Sequence, residues 1–148
     1  MMRILLALLL AVCLLPAPSV SEEEPVMVNK IDIEINGRVR TATLTDSISA
    51  RALLERLAEG PLTIEMHDYG SFEKVGPIDE PLPTSDERIT TAPGDIILYL
   101  GNSITIYYAV NSWNFTLLGH IDGATGENMR EFLGGGDPTV TFSLHTGE

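Results

Sequence analysis

The sequence predicts a mostly β domain, an antiparallel barrel with two short helices. Three observations carry this. Short apolar or alternating stretches recur along most of the chain, turns rich in Asn, Gly and Pro separate them, and only two segments have helical spacing.

In order along the chain, Val28 to Ile35 alternates with period two, as a strand with one buried face does. Asn36-Gly37 is a strong hairpin signal because both residues tolerate positive φ, and Val39 to Leu44 alternates again and returns antiparallel. Thr45, Asp46 and Ser47 offer capping oxygens. Ile48, Ala50, Leu53, Leu54 and Leu57 then form an apolar helical stripe that ends at Gly60-Pro61. Leu62 to Met66 is a further strand. From His67 to Pro93 the chain is broken by Gly70, Gly76, Pro77, Pro81 and Pro83, and the segment is expected to be an irregular loop. Asp95–Leu100, Ile104–Ala109 and Phe115–Ile121 are expected strands, with Val110 to Asn114 as a polar turn. Thr125 to Leu133 is a short helix, Gly134-Gly135-Gly136 a flexible link and Thr139 to Leu144 a closing strand.

The N-terminal segment has the pattern of a secretory signal. Arg3 supplies the positive region, and Ile4 to Leu15 is an apolar run shorter than the roughly 20 residues a membrane span needs. Ser19 and Ser21 suit the small-residue positions before a cleavage. The expected organisation is a signal peptide over 1–21, a charged linker over 22–27 and the folded domain over 28–148. Export to the periplasm or beyond follows, with no membrane insertion after processing. Cys13 is the sole cysteine. Val12 before it and Leu14-Leu15 after it argue against a lipidation site. The net charge of -12 and the lack of any basic cluster exclude nucleic acid as an expected partner.

The stretch from His67 to Gly119 carries the most specific signal. Asp68-Tyr69-Gly70, Glu73-Lys74, Leu82-Pro83, Asp86, Ile89, Pro93-Gly94-Asp95-Ile96, Leu98-Tyr99, Asn111-Ser112-Trp113, Thr116 and Leu118-Gly119 together resemble the small bacterial cyclophilin-like proteins. The resemblance implies a closed, roughly eight-stranded antiparallel barrel with two short helices capping its ends, the architecture that true cyclophilins share. It departs at Leu117, where such proteins often carry a basic residue. The Phe-His-Arg strand and Gly-Ser-Gln-Phe-Phe loop of the true isomerases are absent, and neither Arg88 nor Arg130 sits in an apolar strand.

Two groups are the candidate ligand-binding residues. Tyr69, Glu73 and Lys74 share the expected loop, where opposite charges and a phenol could meet a ligand. Asn111, Ser112 and Trp113 place the single tryptophan in a polar turn, where an indole could wall a pocket with orienting amides beside it. His67-Asp68 cannot easily chelate one ion, because neighbours on an extended segment face opposite ways. No Gly-x-Ser-x-Gly elbow, phosphate loop or calcium-loop spacing occurs. No catalytic residue, cofactor or metal is expected. The reading is an exported binding module for a small molecule or an extended peptide. The alternatives are a periplasmic prolyl isomerase with rearranged catalytic residues and an accessory domain of a membrane complex.

Overall fold

The computed structural model describes residues 13–19 and 29–147. Most of the expected signal peptide and the whole linker lie outside these residues. Residues 13–19 form no regular structure, and no helix among the described residues is long and apolar enough to cross a membrane.

Ten strands and two helices form in the order β1 (Lys30–Ile35), β2 (Arg38–Leu44), α1 (Ile48–Ala58), β3 (Leu62–Glu65), β4 (His67–Tyr69), β5 (Glu73–Pro77), β6 (Glu87–Thr90), β7 (Asp95–Tyr99), β8 (Ser103–Tyr107), β9 (Ser112–Ile121), α2 (Gly126–Leu133) and β10 (Thr139–Leu144). The strand pairings among the described residues are antiparallel. The sheet runs β3-β10-β1-β2-β9-β7-β8-β5-β4, with β6 paired to β9 beside this path.

The ladder is an open path, so the expected closed barrel is not formed by hydrogen bonds among the described residues. The two edge strands β3 and β4 are nevertheless separated only by Met66, which obliges the sheet to roll round on itself. Inside the roll lies the main core. It takes Ile31, Ile33 and Ile35 from β1, Ile96 and Leu98 from β7, Ile104 and Ile106 from β8, and Val140 and Phe142 from β10. Both helices turn their apolar face into it, through Ala50, Leu53 and Leu57 of α1 and through Met129, Phe132 and Leu133 of α2. Ser47 caps α1 by accepting from the Ala50 amide, and Thr125 with Asn128 forms a reciprocal capping box on α2.

The strand count exceeds the expected one because the segment 67–93 is not a plain loop. It holds three short strands: Gly70 turns the chain between β4 and β5, Gly76 and Pro77 end β5, and Pro81 and Pro83 lie in the stretch before β6. Gly70 and Ser71 both take positive φ, and the Phe72 amide donates to the Tyr69 carbonyl across this turn. β6 lies along the N-terminal part of β9, pairing Ile89 with Trp113 and Arg88 with Asn114. Ser112, Trp113 and Asn114 therefore belong to a strand and not to the expected turn.

Candidate functional site: an aromatic pocket on the outer face

The strands β7 and β8 are covered on both faces, so consecutive residues of each are buried. Ile96, Leu98, Ile104 and Ile106 face the main core, whereas Ile97 and Tyr107 form a second cluster with Phe115 on the outer face. Phe72, Ile89 and Leu117 pack against this second cluster. Leu117 thus serves as packing where a basic residue was expected. A β-bulge sets this alternation, since Ile96 pairs with Gly119 but Ile97 pairs with Leu117.

Over this cluster opens a cleft of about 420 Å³, within the range of small-molecule pockets. Tyr107 and Phe115 lie deepest, at 1% and 4% exposure, with rings 5.7 Å apart and tilted. Phe72 stacks parallel to Tyr107 at 6.0 Å, held by its carbonyl, which accepts from the amides of Tyr108 and Ala109. Tyr69 meets Phe72 edge-on at 6.0 Å. Tyr69, Tyr99 and Trp113 are exposed and also line the cleft.

Glu73, Val75 and Asn111 complete the lining. Glu73 pairs with Tyr107 across β5 and β8 and shares its face. Burial pushes the Glu73 carboxyl above its usual range, and the neighbouring Tyr107 hydroxyl partly opposes this. The Tyr107 hydroxyl is raised as well, first by its own burial and then by Glu73. Asn111 is placed by Thr91, a buried residue whose hydroxyl accepts from the Asn111 amide at 2.9 Å and whose amide donates to the Asn111 carbonyl at 2.8 Å.

Four of the six candidate residues, Tyr69, Glu73, Asn111 and Trp113, come together here. Lys74 and Ser112 do not. Lys74 follows Glu73 in β5 and so points to the opposite face. It is 2% exposed, donates to the Gly136 carbonyl at 2.8 Å and pairs with Asp68 at 3.3 Å. The Ser112 hydroxyl shares a 2.7 Å hydrogen bond with that of Thr90. Sequence reasoning missed Phe72, Tyr99, Tyr107 and Phe115 as site residues. The signal for them is the unbroken apolar run Ile96-Ile97-Leu98, which implies that both faces of the sheet are covered there.

A smaller cleft of about 260 Å³ lies on the other side, lined by Asp68, Lys74, Tyr108, Arg130, Gly134 and Gly135. The Tyr108 hydroxyl donates to Asp68 at 2.5 Å, and the Arg130 guanidinium lies 5.7 Å from the Tyr108 ring centre. Lys74 and Asp68 pair there, whereas Arg130 forms no salt bridge among the described residues. Among the described residues no group of three or more His, Cys, Asp or Glu side chains could hold a metal ion.

An antiparallel sheet rolled round one core, with an aromatic pocket on its outer face, defines a mostly β domain class. Within that class, the model of the cyclophilin-like family matches residues 33–143, and the chain belongs to this family. Comparison with curated proteins returned no match.

Proposed function

We propose that the protein is an exported binding module that takes a small molecule or an extended peptide into the outer-face pocket and does not catalyse prolyl isomerisation. The observation that carries this reading is the pocket itself, with six aromatic side chains and one carboxyl around a cleft of about 420 Å³. Ligand sites are concave and mostly apolar, with a few polar groups that fix orientation. Here Glu73, Asn111 and the Tyr107 hydroxyl supply those groups.

The absence of isomerase chemistry rests on what lines the cleft. Lowering the barrel-type isomerases' barrier of about 18–20 kcal/mol calls for a cation that polarises the prolyl amide. No Arg or Lys is among the lining residues. Arg88 is exposed on β6, and Arg130 is on α2 beside the smaller cleft. Export rests on the sequence pattern of residues 1–21.

Trp113 is the only tryptophan and lines the pocket, so its fluorescence reports occupancy. Titration with panels of small amines, small aromatics and Pro-containing peptides is expected to produce saturable changes with at least one panel. A Trp113→Ala variant is expected to keep its fold and to lose the thermal shift that the same ligand gives the wild type. Acceleration of peptide isomerisation above the buffer rate at micromolar protein would overturn the non-enzymatic reading.

A further inference from the structure

The outer-face pocket contains a carboxyl that no cation of the protein neutralises. Glu73 is 7% exposed, and among the described residues it forms no salt bridge. The adjacent Lys74 cannot serve it. That ammonium lies on the other face of β5, paired with Asp68. The charged and titratable neighbours that act on Glu73 are Tyr107, Asp68 and His67, of which Asp68 disfavours its ionisation. A buried carboxylate without a cationic partner costs folding free energy, and such a cost is offset when a partner arrives.

The surroundings of Glu73 select the kind of partner. Phe72, Tyr107 and Trp113 present π-systems, whose negative faces attract cations. No lysine, arginine or histidine lines the cleft, so an anionic ligand would meet no counter-charge there. The net charge of -12 draws cations towards the molecule and repels anions. Acceptors are few: Asn111 Oδ1 already accepts from the Ser112 amide at 3.0 Å. A primary ammonium is a compact, strongly hydrated charge with three donors, whereas a methylated ammonium carries fewer donors and presents an apolar, diffuse charge that suits a cleft walled mostly by rings.

We infer that this pocket recognises a methylated ammonium group, seated against Phe72, Tyr107 and Trp113 with the Glu73 carboxylate as its counter-ion. The inference rests on the reading of this cleft as the ligand site and adds the chemistry of the ligand. The carboxylate supplies charge and the rings supply desolvated contact, so both are needed for selectivity over a neutral molecule of the same shape.

The experiment compares choline with its neutral carbon isostere, dimethylbutanol, on the full chain at fixed ionic strength. Trp113 fluorescence and calorimetry are the readouts. Choline is expected to bind about tenfold or more tightly than dimethylbutanol, a ratio that corresponds to one charge-assisted contact. In Glu73→Gln, checked for native circular dichroism, that ratio is expected to fall towards one while dimethylbutanol binding is retained. The wild-type comparison needs no variant and stands if the substitution impairs folding. Equal binding of the two probes, or a ratio unchanged in Glu73→Gln, would overturn the cation assignment and leave the pocket as the ligand site. Binding of a Pro-containing peptide without binding of choline would overturn it in the same way. If neither these probes nor the panels of small amines, aromatics and peptides alter Trp113, both readings fall together.

Discussion

Glu73 and Lys74 are consecutive in β5, both are buried, and they serve opposite faces of the sheet. The alternation of a strand separates them: Glu73 pairs with Tyr107 on the outer face, whereas Lys74 pairs with Ile106 on the core side and reaches Asp68 and the Gly136 carbonyl. Two adjacent charges that look like one recognition pair in the sequence are therefore a pocket-lining group and a structural tie.

Lys74→Met tests the structural half of this division. The substitution keeps much of the aliphatic stem and removes the donor to Gly136 and the partner of Asp68. Because Asp68 is 41% exposed, water replaces part of the lost pairing. The expected loss is about 1–3 kcal/mol in urea unfolding. Ligand-induced changes in Trp113 fluorescence should keep their midpoint, since Lys74 does not line the outer pocket.

Glu73→Gln tests the other half, through stability against pH. Burial raises the Glu73 carboxyl above its ordinary value of 4.5. A carboxyl with a raised folded-state pKa binds more protons in the folded than in the unfolded chain between the two values. Its stabilisation is complete below the unfolded value and is lost as pH rises through the folded value. Glutamine mimics the protonated form at every pH. The variant is therefore expected to be more stable than wild type at neutral pH, by about 0.5–1 kcal/mol. The gap should close as pH falls below the ordinary carboxyl value. Paired denaturation curves at neutral and acid pH check both the sign and the window.

Trp113 and Phe115 lie two residues apart on the same face of β9 and should behave oppositely on truncation. Phe115 is 4% exposed and packs on Tyr107, so Phe115→Ala is expected to cost about 3–5 kcal/mol. Trp113 is 56% exposed, and Trp113→Ala is expected to cost less than about 1 kcal/mol. Calorimetric melting of both variants separates the residue that builds the floor of the pocket from the one exposed at its wall.

These contrasts also explain what the sequence made visible. The alternation of Val28 to Ile35 and the Asn36-Gly37 turn gave β1 and β2 with little error, because one face of each is buried and the turn chemistry is local. β4, β5 and β6 were hidden for the opposite reason. They are three to five residues long, they lie among Gly and Pro residues, and β5 buries two charged side chains. Trp113 stood out by its rarity, yet its neighbours in the pocket come from several other strands and from the turn holding Phe72. Juxtapositions across that many strands depend on pairing register, which local sequence pattern does not encode.

Gly76 marks a close approach of two strands, β3 and β5. It pairs with Ile104 and so faces the core, where β5 comes against β3. A Cβ at this position would overlap the Ile64 side chain and lie 2.5 Å from the Glu65 carbonyl oxygen. The side chain can turn aside, but the carbonyl is backbone, and Glu65 is fixed by its pairing with Thr139 of β10. Gly76→Ala must then push β3 and β5 apart, and the expected cost is about 1–3 kcal/mol. Gly135 is the matched control: a Cβ there meets nothing within 4 Å and its φ is not positive, so Gly135→Ala should change stability by less than about 1 kcal/mol and in the stabilising direction. Urea unfolding of the two variants distinguishes a glycine required by close approach of strands from one that only loosens a link. If Gly76→Ala proved as neutral as Gly135→Ala, the packing of β5 against β3 would have to be looser than the overlap with Ile64 and Glu65 requires.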